Sequence, residues 1–336
     1  FFDFNDAVDY VNQLGGGSIF IKNGTYYSGM SPAIIGSYVE VVGESLAGVL
    51  LTGDYYGAKI QIGANVAPVY SAGSMTMTQN STNVLFTGVT LTSGNTVGKY
   101  LLNKITGHYY KIIAWVDAHN LTIETAFQGQ TTAGLGYLIL DMDQETKLTN
   151  FTLYGSLDIK NAINVTTENV KFTHGYFHLK YLENLQVVDC DFDFITTSEN
   201  FDYVCNSKWV NNTFKNYIIT VIVLTVNSVG NIISDNLLID NKSQCILLYS
   251  SNNIVKDNVF RNNGWTLGQL YSAILTCNTS SKNIIANNNI QYCNSFGIGS
   301  QIGANYNLVI GNIVTNNQSV GIVNNGANSV TASNIV

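Results

Sequence analysis

Lys256-Asp-Asn-Val-Phe260 is one copy of a five-residue signature that returns along the C-terminal half of the chain. The other copies are Val188-Asp-Cys-Asp-Phe192, Val210-Asn-Asn-Thr-Phe214, Ser234-Asp-Asn-Leu-Leu238, Ala286-Asn-Asn-Asn-Ile290, Ile310-Gly-Asn-Ile-Val314 and Ala332-Ser-Asn-Ile-Val336. Their central positions fall at 190, 212, 236, 258, 288, 312 and 334, so the spacings are 22, 24, 22, 30, 24 and 22. A repeat of this length marks a solenoid in which each copy builds one coil. Composition excludes a helical solenoid. The units are rich in Ile, Val, Thr, Asn and Gly, and they carry short apolar stretches such as Asn253-Ile254-Val255 and Ser272-Ala273-Ile274-Leu275. These read as strands of three to five residues with Asn/Gly corners. One coil per repeat pairs each strand in parallel with its equivalent about 4.8 Å away. The central Asn at 212, 236, 258, 288, 312 and 334 then stacks into a ladder that satisfies buried polar groups along the axis.

Upstream, Phe4, Ala7, Val8, Val11 and Leu14 fall on one helical face, with Asp3 or Asn5 as cap and Gly15-Gly16-Gly17 as stop. A helix there covers the open end of the solenoid, where core and strand edges are otherwise exposed. The first coils follow at 18–26, 39–42, 49–52 and 60–62. The coil period breaks between residues 74 and 141, where Lys99-Tyr-Leu-Leu102, Tyr109-Tyr-Lys-Ile-Ile-Ala-Trp115, Asn120-Leu-Thr-Ile-Glu124 and Gly136-Tyr-Leu-Ile-Leu140 form a hairpin-like series. The expected organisation is a cap helix and first coils over 1–73, a small inserted β domain over 74–141, and the main solenoid over 142–336.

The opening helix, followed by Gly15-Gly-Gly-Ser-Ile-Phe-Ile-Lys-Asn-Gly-Thr-Tyr26 and Val39-Glu-Val-Val-Gly-Glu44, resembles the start of pectin-lyase-like β-helix proteins, among which viral tailspikes and virion depolymerases are prominent. With the C-terminal coils the resemblance covers about three quarters of the chain. The stretch Gly107-His-Tyr-Tyr-Lys-Ile-Ile113, continued by Leu121-Thr-Ile-Glu-Thr-Ala-Phe-Gln-Gly129, resembles small β domains inserted in viral tail proteins. The expected fold is all-β: a single-stranded right-handed parallel β-helix with an N-terminal capping helix and a small inserted antiparallel β domain. The resemblance is specific for fold and weak for chemistry.

Charged residues make up 11% of the 336, the net charge is −7, and Arg261 is the only arginine. Phosphate recognition needs clustered Lys and Arg, so no nucleic-acid partner is expected. No apolar run reaches the roughly 18 residues of a membrane span. A surface of Asn, Ser, Thr and Tyr suits sugar contacts. Nine Asn-x-Ser/Thr sequons, at Asn23, Asn80, Asn120, Asn150, Asn164, Asn211, Asn241, Asn278 and Asn317, fit a glycosylated extracellular protein or follow from Asn/Thr richness alone. No two of the five cysteines share a repeat phase, so no disulfide between coils is expected. The chain opens at Phe1 without Met and stops inside a repeat, as a processed or partial piece of a longer protein would.

Metal, P-loop and Gly-x-Ser-x-Gly signatures are absent, and neither a metal nor a cofactor is expected. His174 and His178 have helical spacing but lie in a strand region. The Asn-Thr-Asp and Gly-His-Gly motifs of polygalacturonases are also missing, and calcium-dependent lyase chemistry is not supported. The acids are more informative. Asp235 and Asp257 precede the ladder Asn in adjacent coils, which sets their Cα atoms about 5 Å apart. Retaining glycosidases hold carboxyls about 5–5.5 Å apart and inverting ones about 6.5–9.5 Å. The same position holds Asn211, Asn287 and Ser333 elsewhere, so a plain Asx corner explains it too. Glu199 and Asp202 are a second catalytic candidate pair, on a lateral strand where other coils are apolar. Arg261, Trp265 and Tyr271 in the irregular coil, with Tyr249, are candidate substrate contacts, unless that loop merely covers the coil edge. The leading expectation is a virion tailspike or fibre that binds, and by hydrolysis cleaves, host-surface polysaccharide or glycoprotein glycans. It would act as a homotrimer beside other virion proteins, outside the cell. Rival readings are a secreted polysaccharide lyase or glycoside hydrolase, and a non-catalytic structural surface protein.

Overall fold

A computed structural model describes residues 3–28, 31–53, 57–63, 66–195, 199–225, 227–264, 272–294, 296–319 and 321–336. The chain folds into two compact units, Phe1–Gly63 with Asp143–Val336, and Ala64–Met142. The first is a parallel β-solenoid of about 12 turns closed by one helix: the stacked coils that the repeat predicts, in the right-handed β-helix that the family resemblance implies.

Each coil turns three times at a buried side chain, and the turns stand five residues apart. The middle row is the predicted ladder. The backbone N–H and Nδ2 of Asn236 both donate to Oδ1 of Asn258, at 3.0 and 2.9 Å, and Asn258 repeats the pair of bonds on Asn288 at 3.1 and 3.0 Å. Two further ladders run beside it. Asn231, Asn253, Asn283 and Asn307 form one, and Asn241 with Asn263 the core of the other. Every one of these amides is at most 1% exposed. Each corner also needs one residue in the left-handed region, immediately before the ladder residue; Asn252, Asp257 and Asn262 have φ of 59°, 57° and 55°. Asn and Asp tolerate that conformation better than other side chains, which explains why Asx doublets dominate the repeat.

Inside, side chains stack at coil pitch. Phe172, Phe192 and Phe214 lie face to face with centroids 4.8 Å apart at each step. All five cysteines are free and buried in this unit. At the N-terminus, helix Phe4–Gln13 buries Phe4, Ala7, Val8 and Val11, and Asp3 caps it by accepting from the N–H of Asn5 at 2.8 Å. Asn12 ties the helix to the coil below, donating to the carbonyl of Ile34 and accepting from the N–H of Gly36.

The solenoid is interrupted within a single rung. Strand Ala58–Ile62 pairs with Gly155–Ile159, and strand Asp143–Gln144 pairs with Ala162 and Ile163. Both are held by the one long strand Lys147–Ile163, so the intervening unit enters and leaves between two halves of one coil edge. That unit is a seven-stranded antiparallel sheet in the order Thr132–Leu135, Ser74–Met77, Asn83–Thr87, Asn120–Ile123, Tyr109–Asp117, Tyr100–Asn103, Tyr137–Leu140. It has its own core, including Met77, Phe86, Leu101, Ile112 and Tyr137.

Replacing Asn258 by Leu leaves the two donors of Asn236 and the carbonyl of Ile233 without their partner inside a dry coil. The expected loss is about 3 kcal/mol, from buried polar groups left unpaired. Hydrogen exchange checks it: amides of the coils on either side should lose protection, and unchanged protection there would remove the ladder from the stability of the fold.

Candidate functional site

The third corner hands the chain to a lateral strand, and between the coils of Gly155 and Gly175 the hand-over requires glycine. A Cβ on Gly175 would lie 1.7 Å from the carbonyl oxygen of Gly155 in the coil before. This close approach sets Ser156-Leu-Asp-Ile-Lys160 directly beneath Tyr176-Phe-His-Leu-Lys180, with Asp158 paired to His178 and Lys160 to Lys180. Leu157, Ile159, Phe177 and Leu179 point into the core, and the residues alternating with them point outward.

Three groups converge there on one carboxylate. Nδ1 of His178 is 3.2 Å from Oδ1 of Asp158, the hydroxyl of Tyr176 donates to Oδ2 at 3.5 Å, and Nζ of Lys160 lies 3.6 Å from Oδ2. Partial burial works against the charge on Asp158, but the hydrogen bond from His178 and the nearby Lys160 outweigh it and hold the carboxyl below its ordinary range. Burial, and then the Asp158 charge, push the Tyr176 hydroxyl up. One coil further, Lys180 reaches Asp202 at 3.6 Å and lies 4.9 Å over the ring of Tyr181. The strip therefore holds a carboxylate locked in its ionised form, an imidazole oriented through Nδ1, a phenol and two ammonium groups.

The residues singled out in the sequence scatter around this strip. Asp202 belongs to it, on strand Glu199–Cys205; the side chain of Glu199 lies outside the described residues. Tyr249 stands two coils further along the row of Asp202, exposed, with its hydroxyl beside the Cys277 thiol. Asp235 and Asp257 lie elsewhere, at the middle corner, with φ of 59° and 57° in the same stack as Asp189, Asn211, Asn287 and Ser333. Nζ of Lys256 sits 2.9 Å from Oδ2 of Asp257 and holds that carboxyl below its ordinary range, the opposite direction from a general acid. Arg261 is exposed at the end of strand Val259–Arg261, between Ile239 and Gln291 of the neighbouring coils. Trp265 and Tyr271 lie outside the described residues. Asp158, Lys160 and Tyr176 escaped the sequence reading. Their signal was the matched alternation of 156–160 and 176–180, a repeat 20 residues long just upstream of the copies that reveal the period. Among the described residues no three His, Cys, Asp or Glu side chains gather as a metal site would require, and no helix is long and apolar enough to cross a membrane.

Residues 159–335 match the family described as Periplasmic copper-binding protein (NosD). Among solved structures, the fold is similar to an Azotobacter vinelandii mannuronan C-5 epimerase A-module, with TM-score 0.54 and 11% identity over 98% of this chain and 94% of that one. An alginate lyase from Paenibacillus sp. str. FPU-7 gives TM-score 0.54 and 7% identity over 96% and 97%. A glycoside hydrolase gives TM-score 0.55 and 8% identity over 98% and 92%. At such identities the likeness is one of fold. No curated protein matches by sequence.

The edge of the strip carries a titrating group with a testable sign. Glu183 ends strand Phe177–Glu183 and accepts from Nδ2 of Asn206 at 3.2 Å, and burial pushes its carboxyl up from 4.5 to about 7. A carboxyl raised on folding favours the folded state while protonated, and that contribution is lost as pH rises from 4.5 through about 7. Glu183→Gln keeps the acceptor and removes the charge. Its melting temperature should exceed that of the wild type at pH 8 and match it near pH 4; parallel profiles would show that Glu183 ionises freely.

Proposed function

The chain belongs to the NosD family, and from that footing we propose that it is a β-helix working outside the cytoplasm that binds polysaccharide along its lateral strand face and acts on it at Asp158, Tyr176 and His178. The convergence of the imidazole, the phenol and the Lys160 ammonium on the Asp158 carboxylate carries this reading. With Nδ1 donating to Asp158, Nε2 of His178 is left to accept a proton, and the Tyr176 hydroxyl is a donor one residue pair away. That pairing fits β-elimination on a uronic-acid polymer. The base takes the proton beside the carboxylate, the electron pair forms the ring double bond, and the glycosidic oxygen leaves with a proton from the acid. Lys160 and Lys180 supply the positive charge that such a substrate and its developing negative charge require. Epimerase, lyase and hydrolase neighbours of the same fold, named for polysaccharide substrates or glycoside cleavage, support a glycan as ligand.

Hydrolysis asks for a different arrangement. Asp158 and Asp202 stand two coils and two residues apart, about 12 Å between backbones from strand spacings, beyond the inverting range. A second reading places hydrolysis at Asp235 and Asp257, favoured by their stacking in adjacent coils. The family description names copper, but the residues here do not fit it. Burial pushes the thiols of Cys190 and Cys205 up to about 12 and those of Cys277 and Cys293 up to about 11, away from the thiolate a soft metal binds. His174 is engaged in ring stacking, and His178 with Asp158.

Three settings share this surface: a homotrimeric virion tailspike among other virion proteins, a secreted cellular enzyme, and a rigid surface spacer. Sedimentation separates the first, which must be trimeric, and glycan binding separates the third, which must lack it. For the chemistry, alginate, polygalacturonate and the neutral glucan laminarin are incubated with the protein, and unsaturated ends are followed by ultraviolet absorbance against total reducing ends. Unsaturated ends are expected from a uronate polymer, falling about 100-fold or more in Tyr176→Phe and His178→Gln, the scale of lost acid–base catalysis. Asp235→Asn and Asp257→Asn should leave the rate unchanged. Reducing ends without unsaturation, abolished only by the two corner variants, would overturn the elimination reading in favour of the second.

A further inference from the structure

Two rows of aromatic rings border the strip that holds Asp158. On one side Tyr154, His174 and Phe194 climb the third corner, with centroids 4.8 and 5.0 Å apart. On the other side the rings of Tyr181 and Tyr203 lie with centroids 5.3 Å apart, tilted by 31°, where the lateral strand bends. Tyr154 and Phe194 are 38% and 42% exposed, large for rings with no charge to keep them in water.

The backbone makes these positions unusual. His174, Phe194, Tyr181 and Tyr203 all have φ between 55° and 58°. Phe and Tyr rarely adopt that region, whereas Asn, Asp and His visit it more readily. Further along the same corner the chain follows the cheaper choice, with Asn216, Asp240, Asn262 and Asn316, and departs from it only at Tyr292. Of the six Phe and Tyr so placed among the described residues, Tyr181, Phe194 and Tyr203 lie in the two coils that carry His178 and Asp202, and Tyr38, Tyr292 and Tyr306 lie elsewhere. An outlier of backbone conformation that clusters beside reactive groups is a sign of function.

Resting on the polysaccharide reading above, we infer that these two aromatic rows are the sugar-holding borders of the site, one on each side of the reactive centre. His174 and Tyr181 are seven residues apart along one coil, at most about 23 Å at strand rise, so the site takes an oligosaccharide stretch and not a single sugar. A pyranose ring has apolar C–H faces that pack against aromatic carbon, and hydroxyls and carboxylates that need the polar groups between the rows. The strip offers the two chemistries in that order: aromatic, then Tyr176, Asp158, His178, Lys160 and Lys180, then aromatic.

The corner preference supplies a clean test. Phe194→Asn and Tyr181→Asn install the residue that the left-handed backbone favours, so neither variant should melt below the wild type. Migration is measured in native gels cast with alginate, polygalacturonate or laminarin. The wild type should be retarded by at least one polymer, and each variant should show an apparent Kd at least about tenfold higher, the scale of one lost aromatic contact. Equal retardation of wild type and variants overturns the inference and leaves the Asp158 chemistry standing. A wild type retarded by none of the polymers also overturns it. Retardation that is lost in the variants while no polymer is cleaved supports the borders and sinks the elimination reading.

Discussion

Within an uninterrupted stretch of a row, a buried corner amide accepts two hydrogen bonds from the coil before it and hands two on to the coil after it. Asn258 does both, and its Nδ2 also reaches the carbonyl of Ile233 at 2.9 Å. Each such group depends on neighbours that are present and in phase, because an unpaired polar group in a dry interior is costly. In the downstream coils these rows, five residues apart, fix where each strand begins. In the coils of Asp158 and His178 the same positions hold Thr146, Phe151 and Gly155, then Val165, Val170 and Gly175, and parallel strand pairing sets Asp158 against His178.

The same constraint separates two kinds of acid on this surface. The acids at the middle corner answer to backbone conformation: Asp189, Asp235 and Asp257 share φ near 57° with Asn211, Asn287 and Ser333. Asp158 sits on a strand where the backbone asks for nothing special, yet it is surrounded by donors. An acid that the backbone does not require, held ionised by an imidazole and an ammonium, is the stronger sign of chemistry.

The period, the parallel coils, the middle ladder, the cap helix and an antiparallel insert were all legible, because each leaves a spacing in the sequence. The flanking ladders are also written in Asn253-Ile-Val-Lys-Asp-Asn258-Val-Phe-Arg-Asn-Asn263, but their five-residue offset lies outside the five-residue signature that marks the period. Asp158 and Tyr176 were not legible as a pair. They lie in coils of 20 residues that precede the recognisable copies, and the contact between them exists only when the stacking register is known. Ser74–Met77, Asn83–Thr87 and Thr132–Leu135 of the insert were also missed, being short strands of mixed composition whose partners are remote.

The interrupted rung has a kinetic consequence. Downstream, a new coil closes against its predecessor across 22 residues, as between Asn236 and Asn258. At the interruption, Asn150 bonds the carbonyl of Gly43 from 107 residues away. Closing the longer loop costs more chain entropy, and rates fall as contacts become less local. The first two coils and their cap emerge early in synthesis with one strand edge open, and must wait for Lys147–Ile163 before that edge is paired. The N-terminal coils are thus the late-assembling and aggregation-exposed part of the molecule, while the long C-terminal stack grows by local additions.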